Sequence, residues 1–194
     1  MHDVRLSIYL CLPKNLEDYF DEKLKKIFKR FGKFRFHDPR DGVYKNIPHI
    51  TLLQTGYCCE HLEDISRGLK KLSKKHTPFI VKSKGIQILK ENEEFHVVFE
   101  VIKSKEIMAL HESVYHELNH LAEMPPPHSL ENFLPHLTII ASLPGQIAKK
   151  IKKIDIKDFK FEAHEIGIKL THKGKKSRVY KKFKLLYSDG LQSK

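Results

Sequence analysis

Two short stretches decide the fold of this chain: PHITLL at residues 48–53 and PHLTII at residues 135–140, one in each half of the 194 residues. Each reads Pro-His-apolar-Thr-apolar-apolar, which indicates an internal duplication. The alternation is typical of a strand with one polar face and one core face. Since successive side chains of a strand point to opposite faces, His49 lies beside Thr51, and His136 lies beside Thr138. Each half is therefore predicted to carry one imidazole and one hydroxyl side by side on a rigid strand.

Two imidazoles and two hydroxyls that meet across a cleft suit displacement at phosphorus. Histidine changes its charge near neutral pH, so one His of a pair can accept a proton while the other donates one. A Thr hydroxyl can donate to a non-bridging phosphate oxygen. We therefore predict that His49 and His136 are catalytic and that Thr51 and Thr138 bind the phosphate, with no metal and no cofactor. The sequence leaves open which His is the base.

Hydrophobic periodicity predicts the remaining elements. Strands are expected at 4–12, around Phe34 and Phe36, at 79–90 and 95–102 as a hairpin, and at 157–171 and 178–187. Helices are expected from an N-cap at Asn15 to Gly32, between Leu62 and Pro78, from 107 to 121, and at 144–153. This order predicts an α+β fold in which residues 1–194 form a single bilobal domain. Two pseudo-symmetric antiparallel sheets would have helices packed outside and a central cleft between them.

The composition favours a polyanionic partner. The net charge is +12, and 40% of the residues are hydrophobic. Such a basic excess attracts phosphate groups, so RNA or a small nucleotide is the expected partner. No apolar run reaches the length of roughly 20 residues that a membrane span needs. An odd number of cysteines, two of them adjacent, is a poor disulfide framework. We therefore expect a cytoplasmic protein without a membrane partner, and we expect it to be a monomer.

With its two His-apolar-Thr-apolar motifs, the chain resembles the 2H phosphoesterases, the superfamily of 2′-5′ RNA ligase-like proteins and cyclic phosphodiesterases. The stretch at 165–170, with Gly174, Tyr180 and the segment 183–185, is similar to the last two strands of that family. The resemblance implies a metal-independent cleft that acts on RNA ends. Its activity would be a phosphodiesterase (hydrolase) activity on 2′,3′-cyclic phosphates or 2′-5′ linkages. By motif match, His49 and His136 would be the acid–base pair.

One position departs from the resemblance. Many ligase-like relatives carry an Arg two residues after the second motif, where this chain has Ala141. A cation near the phosphate would then come from another residue, and the candidates are Lys45, Arg178 and Lys149. Aromatic residues that could stack on a base are Phe36, Tyr44 and Tyr180, although packing in the core is the favoured interpretation for each of them.

Two alternative functions remain open from the sequence. HELNH at residues 116–120 matches the zinc-peptidase pattern HExxH, with His128 or Glu131 as a possible third ligand. However, Met124-Pro125 follows it at once and interrupts the helix. The second alternative is a non-catalytic RNA-binding module that uses the same cleft without turnover.

Overall fold

The structure is a computed structural model that describes residues 4–31, 48–56, 61–91, 93–121, 130–172 and 178–186. Strands and helices follow one another in these residues, and a 3-10 turn at Asn119–Leu121 follows the third helix. The strands are β1 (Val4–Cys11), β2 (His49–Gly56), β3 (Phe79–Glu91), β4 (Glu94–Val101), β5 (His136–Leu143), β6 (Lys160–Ala163), β7 (Glu165–His172) and β8 (Arg178–Lys184). The helices are α1 (Lys14–Phe31), α2 (Leu62–Ser73), α3 (Lys105–Leu118) and α4 (Gly145–Lys152).

The strands form one eight-stranded antiparallel sheet in the order β6-β3-β4-β5-β2-β1-β7-β8. The α+β class is confirmed, whereas the prediction of two separate sheets is not. The two halves join because β2 and β5, the strands that begin at the two motif histidines, pair with each other at the centre. Four strands lie on each side of this junction.

All four helices contribute to one hydrophobic core against the sheet. This core includes Ile50 of β2, Leu137 of β5 and Phe99 of β4, which lies opposite Leu137. Phe20 of α1 makes edge contacts with Phe99 and with Phe159. Because the helices cover the face to which these apolar side chains point, the polar residues of the motifs must point to the other face.

Two boundaries differ from the prediction. The single strand expected at 157–171 is divided at His164 into β6, which pairs with β3, and β7, which pairs with β1. The chain therefore passes from one half of the sheet to the other at this point. Helix α1 already includes Asn15, because the Pro13 carbonyl accepts hydrogen bonds from the N–H groups of Leu16 and Glu17, so Asn15 is not the N-cap.

The other predicted elements agree with the structure to within a few residues, apart from those outside the described residues. The hairpin of β3 and β4 and the helix after Pro144 are both present. The predicted strand around Phe34 and Phe36 and the helix stop at Gly32 lie outside the described residues. None of the helices described is both long and apolar enough to cross a membrane.

Candidate active site

The two motifs lie next to each other on adjoining strands. Ile50 of β2 is paired with Leu137 of β5 in antiparallel register. Counting one residue outward from this pair places His49 across from Thr138 and Thr51 across from His136. Residues opposite one another in an antiparallel pair project from the same face, and diagonal neighbours lie about 7–8 Å apart. The fold therefore brings both imidazoles and both hydroxyls together on one face.

Burial confirms the predicted alternation of the motif strands. Ile50 is 0% exposed and Leu137 is 1% exposed, both within the core. His49, Thr51, His136 and Thr138 are half-buried, as side chains on a solvent-accessible face should be. We call these last four residues the motif quartet. Neither imidazole is directed into the apolar interior, so both can reach a ligand on the open face of the sheet.

The imidazole of His49 has a lysine at its outer nitrogen. Lys169 Nζ of β7 lies 2.9 Å from His49 Nε2. The strand registers explain this contact, since Cys11 and Tyr9 of β1 lie opposite His49 and Thr51, and Ser7 of β1 lies opposite Lys169. All of these residues therefore share the face of the motif quartet. The long lysine side chain reaches along this face to the imidazole.

Tyr9 packs beside His49 and over a glycine. Its ring meets the His49 ring edge-on, with centroids 5.2 Å apart and an angle of 69° between the planes. Gly167 lies opposite Tyr9 on β7, and a Cβ atom there would stand 2.7 Å from Tyr9 Cζ. Only a residue without a side chain leaves room for the phenol ring at this point. Gly167 thereby allows Tyr9 to lie flat on the sheet and to support His49 from the side.

His136 is held from its inner nitrogen. Its Nδ1 lies 2.8 Å from the carbonyl oxygen of Leu134. Because a carbonyl only accepts, Nδ1 carries the proton and donates it, which leaves Nε2 to face a ligand. On the other side, Glu100 of β4 lies opposite His136 in register and on the same face. Glu100 also forms an ion pair with Lys84 at 3.3 Å.

A buried histidine supports both motifs from the helix side. His111 of α3 is 2% exposed, and its Nδ1 lies 2.8 Å from the carbonyl oxygen of Leu52, directly after the first motif. Its ring stacks on Phe133 at a centroid distance of 3.7 Å, three residues before His136. The periodicity of α3 did not predict these contacts of His111. A histidine within an apolar stripe can be recognised as a supporting residue only when its hydrogen-bond and stacking partners are known.

Two weak acids are buried next to His49. Tyr9 is 2% and Cys11 is 5% exposed. Burial, together with the neighbouring Cys11 thiol, raises the pKa of the Tyr9 phenol far above its usual range. Burial also raises the pKa of the Cys11 thiol to about 12, against the opposing effect of Lys182. Both groups are therefore neutral at physiological pH and pack beside His49 on the face of the motif quartet.

Of the other residues predicted to contact substrate, Tyr180, Arg178 and Lys149 are among the residues that the structure describes. The Tyr180 hydroxyl donates to Glu63 of α2 at 3.0 Å, which directs it toward the helix layer. Arg178 lies opposite Leu170 on the edge strand β8, and Lys149 lies on α4. Phe36, Tyr44 and Lys45 lie outside the described residues.

The sequence analysis did not identify Lys169, which contacts His49. The alternation in residues 165–170 could have placed Lys169 on this face of the sheet, because it puts Glu165, Gly167 and Lys169 on the face opposite three apolar residues.

The HELNH stretch lacks the geometry of a zinc peptidase in the described residues. Helix α3 ends at Leu118, so His120 lies in the following 3-10 turn. Glu117, which would be the catalytic base, forms an ion pair with Lys71 at 3.1 Å. Across the described ranges, no three His, Cys, Asp or Glu side chains are grouped so that they could hold a metal ion. His128 lies outside these ranges.

Comparison with solved structures shows the same fold in proteins of low sequence identity. The crystal structure of TT0787 of Thermus thermophilus superimposes with a TM-score of 0.65 at 16% identity, over 93% of this chain and 97% of that one. E. coli LigT complexed with 3′-AMP gives a TM-score of 0.61 at 14% identity, over 94% and 98%. LigT complexed with NADP+ gives 0.58 at 14% identity, over 96% and 100%.

The family is shown by the sequence itself. A comparison with curated protein sequences finds no match. The family model of the 2′-5′ RNA ligase superfamily, in contrast, matches residues 22–175, which contain both motifs. This match covers most of the chain, and it agrees with the fold and with the resemblance drawn from the two motifs. The chain therefore belongs to the 2′-5′ RNA ligase superfamily, within the 2H phosphoesterases.

Proposed function

We propose that this chain is a metal-independent RNA phosphoesterase that acts on 2′,3′-cyclic phosphates or 2′-5′ phosphodiester bonds by paired-His acid–base catalysis. Membership of the superfamily supports a phosphoesterase or ligase-like enzyme in general terms. The single observation that carries the finer proposal is the pairing of Ile50 with Leu137, which places the motif quartet on one open face. A phosphoryl group above this pair would be within reach of both imidazoles.

The hydrolytic reaction follows from the chemistry of these four residues. One neutral imidazole takes a proton from a water molecule as the water oxygen attacks phosphorus. The bond from phosphorus to one ribose oxygen breaks, and the other, protonated imidazole gives its proton to that oxygen. Thr51 and Thr138 donate hydrogen bonds to the non-bridging oxygens, where negative charge increases in the transition state. The products are a ribose hydroxyl and a phosphomonoester, so water is added across one P–O bond.

The proposed ligand is RNA or a small nucleotide. E. coli LigT has been crystallised with 3′-AMP and with NADP+, so a relative of the same fold accommodates nucleotides. The net charge of +12 also supports a phosphate-bearing partner. We further propose that the protein acts as a monomer in the cytoplasm.

The test is turnover on a panel of 2′,3′-cyclic nucleotides and of 2′-5′ and 3′-5′ linked oligonucleotides, in the presence of EDTA. We expect the wild type to open a cyclic phosphate or cleave a 2′-5′ bond, with one phosphate isomer as product. Either His49→Ala or His136→Ala should lower kcat by about 100-fold or more, since acid–base catalysis contributes factors of this size. Thr51→Val and Thr138→Val keep the side-chain shape and should lower kcat/KM by about tenfold or more.

The matched control is His164→Ala. This His lies between β6 and β7, is 51% exposed in its side chain and pairs with Glu162. Its removal should leave turnover unchanged. If the motif variants kept full turnover, the proposal would be wrong. If the wild type bound oligonucleotides but turned over none of the panel, the alternative of a non-catalytic RNA-binding module would be favoured.

A further inference from the structure

Helix α2 carries a row of cationic side chains on the outside of the helix layer. Its apolar residues Ile65, Leu69 and Leu72 are buried in the core. Since the helices cover the face of the sheet opposite the motif quartet, the exposed side of α2 points away from the candidate active site. This side and the residues that follow it line a cavity of about 380 Å³. We call its lining the α2 basic surface: Arg67, Lys70, Lys71, Lys74 and Lys75.

No acidic residue interrupts this surface along the chain. Residues 67–75 contain five cations and no Asp or Glu. Side chains four residues apart on a helix are neighbours, so like charges such as those of Lys70 and Lys74 repel each other. In helix α1, by contrast, Lys25 pairs with Asp21 at 2.9 Å over the same spacing. The α2 segment therefore carries a repulsion that α1 avoids, and a bound anion would relieve it.

Positive charge on the α2 basic surface remains in excess after its ion pairs are considered. Arg67 pairs with Asp64, which lies three residues earlier on the same helix. Lys71 pairs with Glu117 of α3 at 3.1 Å. Within the described ranges, no carboxylate forms an ion pair with the remaining three cations, which are all exposed: Lys70, Lys74 and Lys75.

A second cavity lies beside the first and extends toward α3. Its volume is about 290 Å³, and Lys75 lines both cavities. Lys105 at the start of α3 contributes a further cation, and Glu106 is the carboxylate in the lining. His76 also lines this cavity, with its Nε2 atom 3.0 Å from Ser113 Oγ. Two adjoining cavities of this kind match an extended anion better than a single phosphate group.

The chemistry of the α2 basic surface favours a phosphate backbone as its ligand. A helix that lies on a membrane inserts exposed apolar side chains into the lipid, whereas Ile65, Leu69 and Leu72 of α2 are buried in the core. The α2 basic surface consists only of Lys and Arg, which donate charge-assisted hydrogen bonds to phosphate oxygens and offer no aromatic ring to a base. Such contacts hold a strand by its backbone without reading its sequence.

We propose that the α2 basic surface binds the phosphate backbone of RNA at a site separate from the motif quartet, on the other side of the sheet. The choice of RNA as the polyanion rests on the proposed function, whereas the binding surface stands on its own charge and shape. A long RNA would be held here by its phosphates, while a mononucleotide at the motif quartet would make no contact with α2. The motif quartet would then determine turnover, and the α2 basic surface would determine the affinity for long RNA.

The test is the affinity for a labelled oligouridine of about 20 nucleotides, longer than the sites that single-strand-binding proteins usually cover. The oligouridine ends in a 3′ hydroxyl and has only 3′-5′ bonds, so the proposed activity does not consume it. In the triple variant Lys70→Gln/Lys74→Gln/Lys75→Gln, the slope of log K against log salt should become less steep by about 2, at roughly 0.7 per lost phosphate contact. Between about 50 and 200 mM NaCl, the wild type should therefore lose about 20-fold more affinity than this variant in fluorescence anisotropy.

The matched control is Lys150→Gln/Lys152→Gln/Lys153→Gln. It removes the same charge from exposed lysines at the end of α4, which packs against β3 and β4 in the other half of the sheet. Both triple variants replace exposed side chains by a good helix former, so both should fold like the wild type in circular dichroism. The control should keep nearly the wild-type affinity and salt slope.

Two further readouts locate the bound RNA. The kcat/KM for a 2′,3′-cyclic mononucleotide should be the same in the wild type and in both triple variants, because a mononucleotide does not reach α2. The NMR signals of the His76 ring, assigned from His76→Gln, should shift when the oligouridine is added to the wild type, because His76 directly follows Lys75 and lines the adjoining cavity. The ring signals of the distant His164 should not shift.

The outcomes separate this inference from the proposed function. Equal losses of affinity in the two triple variants would show that binding follows net charge alone, and they would overturn the inference. Unchanged affinity in the α2 variant, or oligouridine binding that leaves the His76 signals in place, would overturn it as well. If poly-glutamate rather than oligouridine required the α2 lysines, the partner would be an acidic protein and the inference would be wrong.

The two proposals can also fail independently. A wild type that bound oligouridine through the α2 basic surface but turned over no member of the panel would refute the proposed function alone. A wild type that turned over a cyclic nucleotide but bound no oligouridine would refute only the inference about α2.

Discussion

Replacement of Gly167 by Ala should destabilise this protein and impair its site, although the same change in most strands is stabilising. Glycine in the interior of a strand costs roughly 0.5–1 kcal/mol relative to alanine. Here the new Cβ atom would stand 2.7 Å from Tyr9 Cζ, 2.8 Å from its hydroxyl oxygen and 2.9 Å from Cε1. Tyr9 is 2% exposed, so its ring is packed among other groups and must shift against them to make room for the new atom.

The expected cost follows from overpacking. Extra atoms in a filled region typically cost about 1–3 kcal/mol, so Gly167→Ala should lower the free energy of unfolding by an amount in this range. The displaced ring also presses on His49, whose ring lies 5.2 Å from that of Tyr9. A decrease in kcat/KM should therefore accompany the loss of stability. Urea unfolding followed by circular dichroism gives the first quantity, and turnover of the best panel substrate gives the second.

Two variants of Tyr9 test the physical cause. Tyr9→Leu removes the outer ring atoms, so the Gly167→Ala change should cost nothing further in that background, with a coupling energy of about 2 kcal/mol between the two positions. Tyr9→Phe keeps Cζ and Cε1 in place and should give no such relief. If Gly167→Ala were equally destabilising in the wild-type, Phe and Leu backgrounds, the contact with Tyr9 would not be its cause.

Three further predictions concern stability. His111→Leu should destabilise the fold by about 2 kcal/mol in urea unfolding, because the buried Leu52 carbonyl loses its donor; no loss would mean that the carbonyl finds another partner. In the folded protein, the pKa of the Cys11 thiol is raised from 9.0 to about 12. Above pH 9 the folded state therefore keeps a proton that the unfolded state loses. The contribution of Cys11 to the free energy of unfolding is thus complete below pH 9 and declines above it. Between pH 8 and pH 10, the free energy of unfolding of the wild type should therefore fall by about 1.4 kcal/mol relative to that of Cys11→Ala. A difference that stays constant with pH would contradict the raised pKa of Cys11. Ser104 caps α3 by accepting from the N–H of Ile107, so Ser104→Ala should cost about 1 kcal/mol and Ser104→Gly only a few tenths; equal costs would argue against the cap.

Local pattern was sufficient to predict the two strands that contain the motifs. The alternation in residues 48–53 and 135–140 predicted both motif strands and the face on which each His and Thr lies. A strand repeats every two residues, so a few neighbouring residues are enough to separate its faces. Boundaries set by distant contacts were predicted less well. Residues 157–171 have continuous strand character, and the break at His164 appears only because β6 and β7 pair in opposite halves of the sheet.

By itself, the sequence determined the two motif strands, their polar and buried faces, the α+β class and the family, because each depends on residues close together in the chain. Only the tertiary structure decided that β2 pairs with β5 in a single sheet and that Ile50 lies opposite Leu137. It also brought Lys169 to His49, although 120 residues separate them along the chain. Strand order and the reach of a long side chain across neighbouring strands result from packing of the whole core, and no short stretch of sequence contains that information.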